Sequence, residues 1–247
     1  MSKVNIHIEN NGIAFLTITS RPVNALSVDL LNELYEVIYS VKKDNSINVL
    51  IIKSGLDHFC AGADIKERSL MDDKQTLSVI NKINDCFDLI ESLDIITIAA
   101  INGSALGGGA ELALCCDFRI GSISSKVGFP ETSIGIIPGA GGTYRLPQLI
   151  GTSKAKYWIF TGRKFLAQEA FQDGYLDFLA DDDELLEASI DLAEEIIPNS
   201  QNALQLAKRS IRSASNQLDQ NRDNELNFYK QTLSLKDRID FLRKVKK

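Results

Sequence analysis

The feature that most constrains this 247-residue chain is an interior-strand signal running into three successive glycines. The apolar stretch at residues 95–101 is far too short to span a membrane and has the length of a buried strand. It leads to Gly107-Gly108-Gly109-Ala110-Glu111, after which the chain turns apolar again at Leu112-Ala113-Leu114-Cys115-Cys116. Glycines lack a Cβ and so let another backbone approach closely. A helix starting there points unpaired N–H groups outward, and Glu111 in its first turn sits favourably at the positive end of the dipole. Donors and a carboxylate at one helix start form a candidate catalytic centre.

The same alternation organises the rest of the chain. Residues 3–8 and 13–18 alternate like two strands joined by a turn at Asn10-Asn11-Gly12. Leu30, Leu34, Val37 and Val41 recur at helical spacing behind a Ser27 cap, and Val49-Leu50-Ile51-Ile52 reads as a second interior strand. A long amphipathic helix is expected over residues 73–93. This α/β order predicts parallel strands, and its ββα sense predicts a coil of such units. Beyond residue 150, residues 152–172, 183–197, 200–215 and 220–234 carry helical patterns with few strand signals. Pro198-Asn199-Ser200 is a helix stop followed by a new cap, which divides a core at 1–198 from a helical region at 199–247.

Composition narrows the chemistry. A net charge of −6 argues against a general nucleic-acid or anionic-membrane surface. The start, Met1 to His7, alternates like a strand without a signal-peptide core, so a cytoplasmic or organellar-matrix protein is expected. Only His7 and His58 are available, and Cys60, Cys86, Cys115 and Cys116 lack metal-ligand spacing. No metal site or Ser/His/Asp triad is expected, and the cysteines read as reduced and structural. Acid–base chemistry therefore falls to carboxylates.

Two loops follow interior strands, His58 to Glu67 and Gly103 to Glu111. Ligands gather at the carboxyl ends of parallel strands, so both loops are candidates for one mouth. Backbone N–H groups from each would make an oxyanion hole, although small residues equally serve tight packing. A third segment, Val127 to Glu131, places Pro130 at a first helical position and Glu131 in a first turn. Glu111 and Glu131 are too far apart for one helix face and meet only through the fold. Gly139-Ala140-Gly141 starts like a dinucleotide fingerprint, but Tyr144 stands where the third glycine belongs. Trp158 and Tyr157 read as core or interface, and Cys60 two residues from His58 is poor geometry for a nucleophile and base.

Together these segments resemble the crotonase (enoyl-CoA hydratase/isomerase) superfamily, and most of all its enoyl-CoA hydratases. The resemblance rests on Phe59-Cys-Ala-Gly-Ala-Asp-Ile-Lys-Glu67, Gly103 to Ala113, Pro130-Glu131 and Gly135 to Thr143, with Arg21 to Ser27 and Thr161-Gly162-Arg163 in support. It implies a ββα-spiral core with a C-terminal helical trimerisation region, a homotrimer or homohexamer, and an acyl-CoA substrate. It implies no resident cofactor, coenzyme A being part of the substrate, and neither a nucleic-acid nor a membrane partner. By motif position, the amides of Ala63 and Gly108 would hold the thioester oxygen, and Glu111 and Glu131 would be the hydratase glutamates. Ala25, Ala61, Ala63, Asp64, Ile65, Lys66, Gly108, Pro130 and Pro138 would contact substrate or coenzyme, with Lys66 or Arg21 as candidates for its phosphates. An isomerase, a methylglutaconyl-CoA type hydratase (the Cys60 to Arg68 run is similar to that group) and a non-catalytic acyl-CoA- or RNA-binding scaffold are the alternatives. Departures are Tyr144 before Arg145, Gly174-Tyr175-Leu176-Asp177, and a short tail over residues 237–242, which leaves any tail contact to ligand open.

Overall fold

In the computed structural model, residues 3–214, 218–234 and 236–245 are described. β1 (Val4–Ile8) and β2 (Ile13–Ile18) form the expected hairpin, paired antiparallel from Val4↔Ile18 to Ile8↔Ala14. Every later pairing in the main sheet is parallel. β3 (Val49–Ser54), β4 (Ile96–Ile101), β6 (Phe118–Ser122) and β9 (Phe178–Ala180) extend it in the order β1-β2-β3-β4-β6-β9.

Both faces of this sheet are covered, which is why its strands are apolar at nearly every position. Ala14, Leu16, Ile18, Leu50, Ile52, Ala99 and Ile101 face the larger core, which includes α1 (Val28–Lys43) and α3 (Asp73–Glu91). The alternate residues Ile13, Phe15, Val49, Ile51, Ile96, Ile98 and Ala100 face a second cluster with Leu185 and Ala193 of α8 (Leu185–Ile196). Ser27 caps α1 as expected, its side chain accepting from the Leu30 amide. Asp72 and Gln75 close a capping box at the start of α3.

A second, three-stranded sheet is built from very short pieces: β5 (Ser104–Leu106), β7 (Lys126–Gly128) and β8 (Lys164–Leu166). Two turns of the coil each lay one strand in the main sheet and a short one here, then return through helix. β4 passes to β5 and α4 (Gly108–Leu114). β6 passes to β7, a 3₁₀ helix (Pro130–Ile134), α5 (Gly142–Ile150) and α6 (Thr152–Thr161).

The stretch 152–172 departs from its helical pattern. α6 ends at Gly162, whose φ of 59° is left-handed, and β8 intervenes before α7 (Ala167–Asp173). Phe165 at the centre of β8 stacks on Trp158 with ring centroids 4.0 Å apart, and Trp158 Nε1 donates to Asp173 at 2.7 Å. Core packing thus overrides helical periodicity, and Trp158 is a core residue. Helices α9 (Gln201–Ala214), α10 (Leu218–Thr232) and α11 (Lys236–Val245) follow, and α10 packs back on α5. Residue 215, the end of one expected helix, lies outside the described residues. No described helix is long and apolar enough to cross a membrane.

Candidate active site

The pairing of β5 with β7 brings the two glutamates together. Leu106 and Gly128 are parallel partners, and the Gly107 amide continues the ladder by donating to the Gly128 carbonyl at 2.8 Å. Both strands end there and both chains enter helix: α4 begins at Gly108 and the 3₁₀ helix at Pro130. Glu111 and Glu131 therefore emerge at one mouth. Gly107 has φ +51°, and a Cβ there would stand 2.5 Å from Glu131 Oε1, so the site needs glycine on both counts.

The 58–63 loop lies along the other side of β5. Cys60 donates its amide to the Ser104 carbonyl and accepts from the Leu106 amide, at 3.1 and 3.0 Å. Buried Asn24 pins the loop, its Nδ2 donating to the His58 and Phe59 carbonyls at 3.1 Å each. The Leu26 amide donates to the Gly62 carbonyl at 2.8 Å. Ala63 is thereby set beside Gly108: a Cβ built on Gly108 would lie 3.8 Å from the Ala63 nitrogen. Among the described residues, no loop, turn or cap carbonyl accepts from either amide.

These groups line one cavity of about 220 Å³, whose walls include Ile80, Ile83, Ile136 and Ile137. Of the sequence candidates, Ala61, Ala63, Ile65, Gly108, Glu111, Pro130 and Glu131 line it; Ala25, Asp64, Lys66 and Pro138 do not. Asp64 is occupied as the cap of α2 (Ile65–Ser69), accepting from the Glu67 amide, and Lys66 is exposed. Pro138 is buried against Gly142, and Ala25 sits beside the Leu26–Ala63 bridge. A larger cavity of about 450 Å³ opens between the end of α4 and α9, but it contains neither Glu131 nor the paired amides.

The two carboxylates are held differently. Glu111 Oε1 accepts from the Ala140 and Gly142 amides at 2.8 and 2.9 Å, whereas Glu131 Oε2 is buried without a partner. Burial lifts the Glu111 pKa well above the usual carboxylate range, and the charges of Glu131 and Glu225 push it further against those two amides. Burial likewise lifts Glu131, to about 7, with Glu225 adding to the rise. Two buried carboxyl groups in one cavity resist ionising together, so each raises the other's hold on a proton. Cys60 is no rival as a nucleophile, because burial pushes its thiol up to about 12.

A family model described as enoyl-CoA hydratase/isomerase matches residues 8–246. The chain belongs to the enoyl-CoA hydratase/isomerase family. It is 40% identical over 240 residues to YngF of Bacillus subtilis, a protein named for the same family, covering 96% of this chain and 92% of that one. It is 40% identical over 241 residues to mitochondrial methylglutaconyl-CoA hydratase of Mus musculus, covering 95% and 77%. The crystal structure of an enoyl-CoA hydratase from Bacillus anthracis superimposes with a TM-score of 0.84 at 38% identity, covering 99% of this chain and 96% of that one. The coil of ββα units is thus the crotonase fold, with a helical C-terminal region.

This enoyl-CoA hydratase/isomerase family member also brings to the site two residues that the sequence motifs do not mark. Glu225 and Tyr229 are one turn apart on α10, and Tyr229 lines the cavity. Glu225 Oε2 accepts from the Gly141 amide at 2.8 Å, and its Oε1 accepts from the Thr143 amide and hydroxyl at 2.9 and 2.5 Å. The loop is braced from beneath by Arg145 Nη1 to the Ala140 carbonyl and by Asn84 Nδ2 to the Gly139 carbonyl. Arg145, which follows the departure Tyr144, and the departure Tyr175 also gain physical roles. Arg145 is paired with Asp88 and Glu91, and the Tyr175 hydroxyl donates to the Ala110 carbonyl in α4 at 2.8 Å.

Proposed function

We propose that this protein is an enoyl-CoA hydratase, adding water reversibly across the double bond of a 2-trans-enoyl-CoA to give the 3-hydroxyacyl-CoA. The observation that carries the reading is the pairing of Glu111 and Glu131 in one apolar cavity with the Ala63 and Gly108 amides. In the forward step the water oxygen bonds to Cβ and one carboxylate takes its proton. The electron pair of the double bond moves toward the thioester carbonyl, whose oxygen gains charge against the two amides. Cα then takes a proton from the other carboxyl group, so the net change is addition of one water. Raised pKa values suit both duties, since a poised acid and base must exchange protons near the working pH.

The amides that grip Glu111 Oε1 fix that side chain and leave Oε2 for the water. Glu131, with an oxygen lacking any partner, is equipped to hold and release a proton. No resident cofactor enters this scheme; coenzyme A arrives as part of the substrate. The small cavity favours a short acyl group. Exposed Phe160, Leu206 and Ile211 support assembly into a homotrimer or larger oligomer.

The test is loss of enoyl-thioester absorbance with crotonyl-CoA. Wild type is expected to turn over, and Glu111→Gln and Glu131→Gln each to lose about 10²–10⁴ in kcat. Inactivity of the wild type on short enoyl-CoAs would sink the proposal. Hydration lost in Glu131→Gln with 3-enoyl isomerisation retained would make isomerisation the native role.

A further inference from the structure

One face of α10 reaches the walls of the cavity at successive turns. Arg222, Glu225 and Tyr229 are three and four residues apart, a spacing that puts them on one side of the helix. Arg222 donates to Asp85 and Asp88 of α3, at 2.6 Å each. Glu225 holds the Gly141 and Thr143 amides, as described above. Tyr229 lines the cavity itself and is only 5% exposed. Two polar anchors on the preceding turns thus fix where the ring of Tyr229 stands.

That ring lies against Gly139. A Cβ built on Gly139 would stand 2.8 and 3.0 Å from the Tyr229 ring carbons Cδ2 and Cε2, and 3.5 Å from Ile80 Cδ1. Gly139, Ile80 and Tyr229 therefore meet as one wall of the cavity. The next residue, Ala140, gives its amide to Glu111, whereas Gly108, three residues before Glu111 on α4, lies beside Ala63. Glu111 thus links the amide pair that would hold the thioester oxygen to the wall that Tyr229 completes. The Tyr229 hydroxyl feels the charges of Glu111 and Glu131, which line the cavity, and of Arg68 and Arg238, which do not. Protein packs beyond the ring. Leu233, one turn further, is buried, and its carbonyl accepts from Arg238 Nη1 at 2.7 Å, while the same nitrogen donates to Asp73 of α3 at 3.2 Å.

We propose that the Tyr229 ring is the stop that closes the acyl pocket, so that acyl-chain length is set from the C-terminal helical region. This inference rests on the hydratase reading of the cavity. An acyl chain that passes the glutamates runs into a ring wedged against backbone at Gly139 and held by two anchors on its own helix. A short chain fits in front of the ring. A longer one must displace a packed side chain, and overpacking a filled site is unfavourable. The isoleucine walls are apolar and serve any acyl group alike, which leaves the stop to discriminate among lengths.

The experiment sets crotonyl-CoA against 2-trans-octenoyl-CoA, whose chain is longer by four methylenes. Wild type is expected to favour crotonyl-CoA in kcat/KM. Tyr229→Ala should raise the octenoyl-to-crotonyl ratio by about tenfold or more, since each methylene that finds apolar room gains about fourfold. Because that variant empties a core position, Tyr229→Leu, which keeps an apolar side chain there, is the second variant and should give part of the shift. Tyr229→Phe keeps the ring and should keep the wild-type ratio. Calorimetry supplies an arm free of turnover: wild type should bind butyryl-CoA more tightly than octanoyl-CoA, and Tyr229→Leu should narrow the gap. A wild type that binds octanoyl-CoA as tightly as butyryl-CoA overturns the proposal. So do folded Ala and Leu variants that keep the wild-type ratio, or a Phe variant that shifts as far as Ala, because the limit would then rest on the hydroxyl. If neither enoyl-CoA is hydrated while the saturated thioesters still bind in the expected order and Tyr229→Leu narrows it, the hydratase reading fails and the stop stands.

Discussion

Replacing Glu131 by Gln should make the protein more stable, and increasingly so as pH rises. In the fold this carboxyl is 8% exposed, its Oε2 has no partner, and burial lifts its pKa from 4.5 to about 7. A carboxyl whose folded pKa exceeds its unfolded value binds its proton more tightly in the native state. The stability tied to that proton is fully present below about pH 4.5 and is lost as pH rises through about 7. At about 1.4 kcal/mol per pKa unit, the loss amounts to about 3 kcal/mol on the alkaline side. Gln matches the protonated form in shape and cannot ionise. Removing the Glu131 charge also relieves Glu111, which that charge pushes up, so both effects carry the same sign. Urea unfolding of both proteins, at one protein concentration and over about pH 5 to 9, measures the difference. The curves should lie within about 1 kcal/mol at the acid end and separate to about 3 kcal/mol at the alkaline end, with Glu131→Gln the more stable. Parallel curves across that window would refute the reasoning, because they would mean that Glu131 ionises as readily in the fold as in water.

Two further outcomes follow from the loop and the glycines. Glu225→Gln removes a negative charge that pushes both Glu111 and Glu131 up, so both limbs of the pH–kcat/KM profile should move to lower pH; unmoved limbs would show that Glu225 is electrically silent. Gly109→Ala drives a Cβ into the Cys60 carbonyl, a backbone atom that cannot rotate away. Its cost should reach the top of the roughly 1–3 kcal/mol range for overpacking, read as a fall in urea midpoint, and activity should fall with it because Cys60 anchors the loop that carries Ala63.

Periodicity marked the parts of the chain whose burial has a regular repeat. β2, β3, β4, α1 and α3 stand within two residues of their expected bounds, because each buries a face whose spacing is written in the residues. The meeting of Glu111 with Glu131 was not legible in this way. It depends on β5 and β7, three residues each, too short for a period of two to register. Only the family resemblance paired the two residues. β8 and β9 were hidden for the same reason, and in β8 a single stacked ring, Phe165 on Trp158, settles the conformation.

Glu225 was obscured by a different cause. It sits on α10 among Asp223, Asn224, Asn227 and Lys230, and an acid in such company reads as solvated. Leu226 and Tyr229 dock the helix on the core, so what remains to be explained is the partner of a buried acid beside them. The loop at 140–143 provides the answer. Its four successive amides alternate, Ala140 and Gly142 to Glu111, Gly141 and Thr143 to Glu225. One segment of backbone thus holds two buried carboxylates on opposite sides, and each satisfies donors that would otherwise be orphaned. Glu131 shares their low-dielectric surroundings but has only its own backbone amide to lower its pKa. The C-terminal helix therefore does more than cover the core. It orders the loop that fixes Glu111, and its charge adds to the burial that raises the pKa of both acids of the cavity, as the proposed proton exchange with water requires.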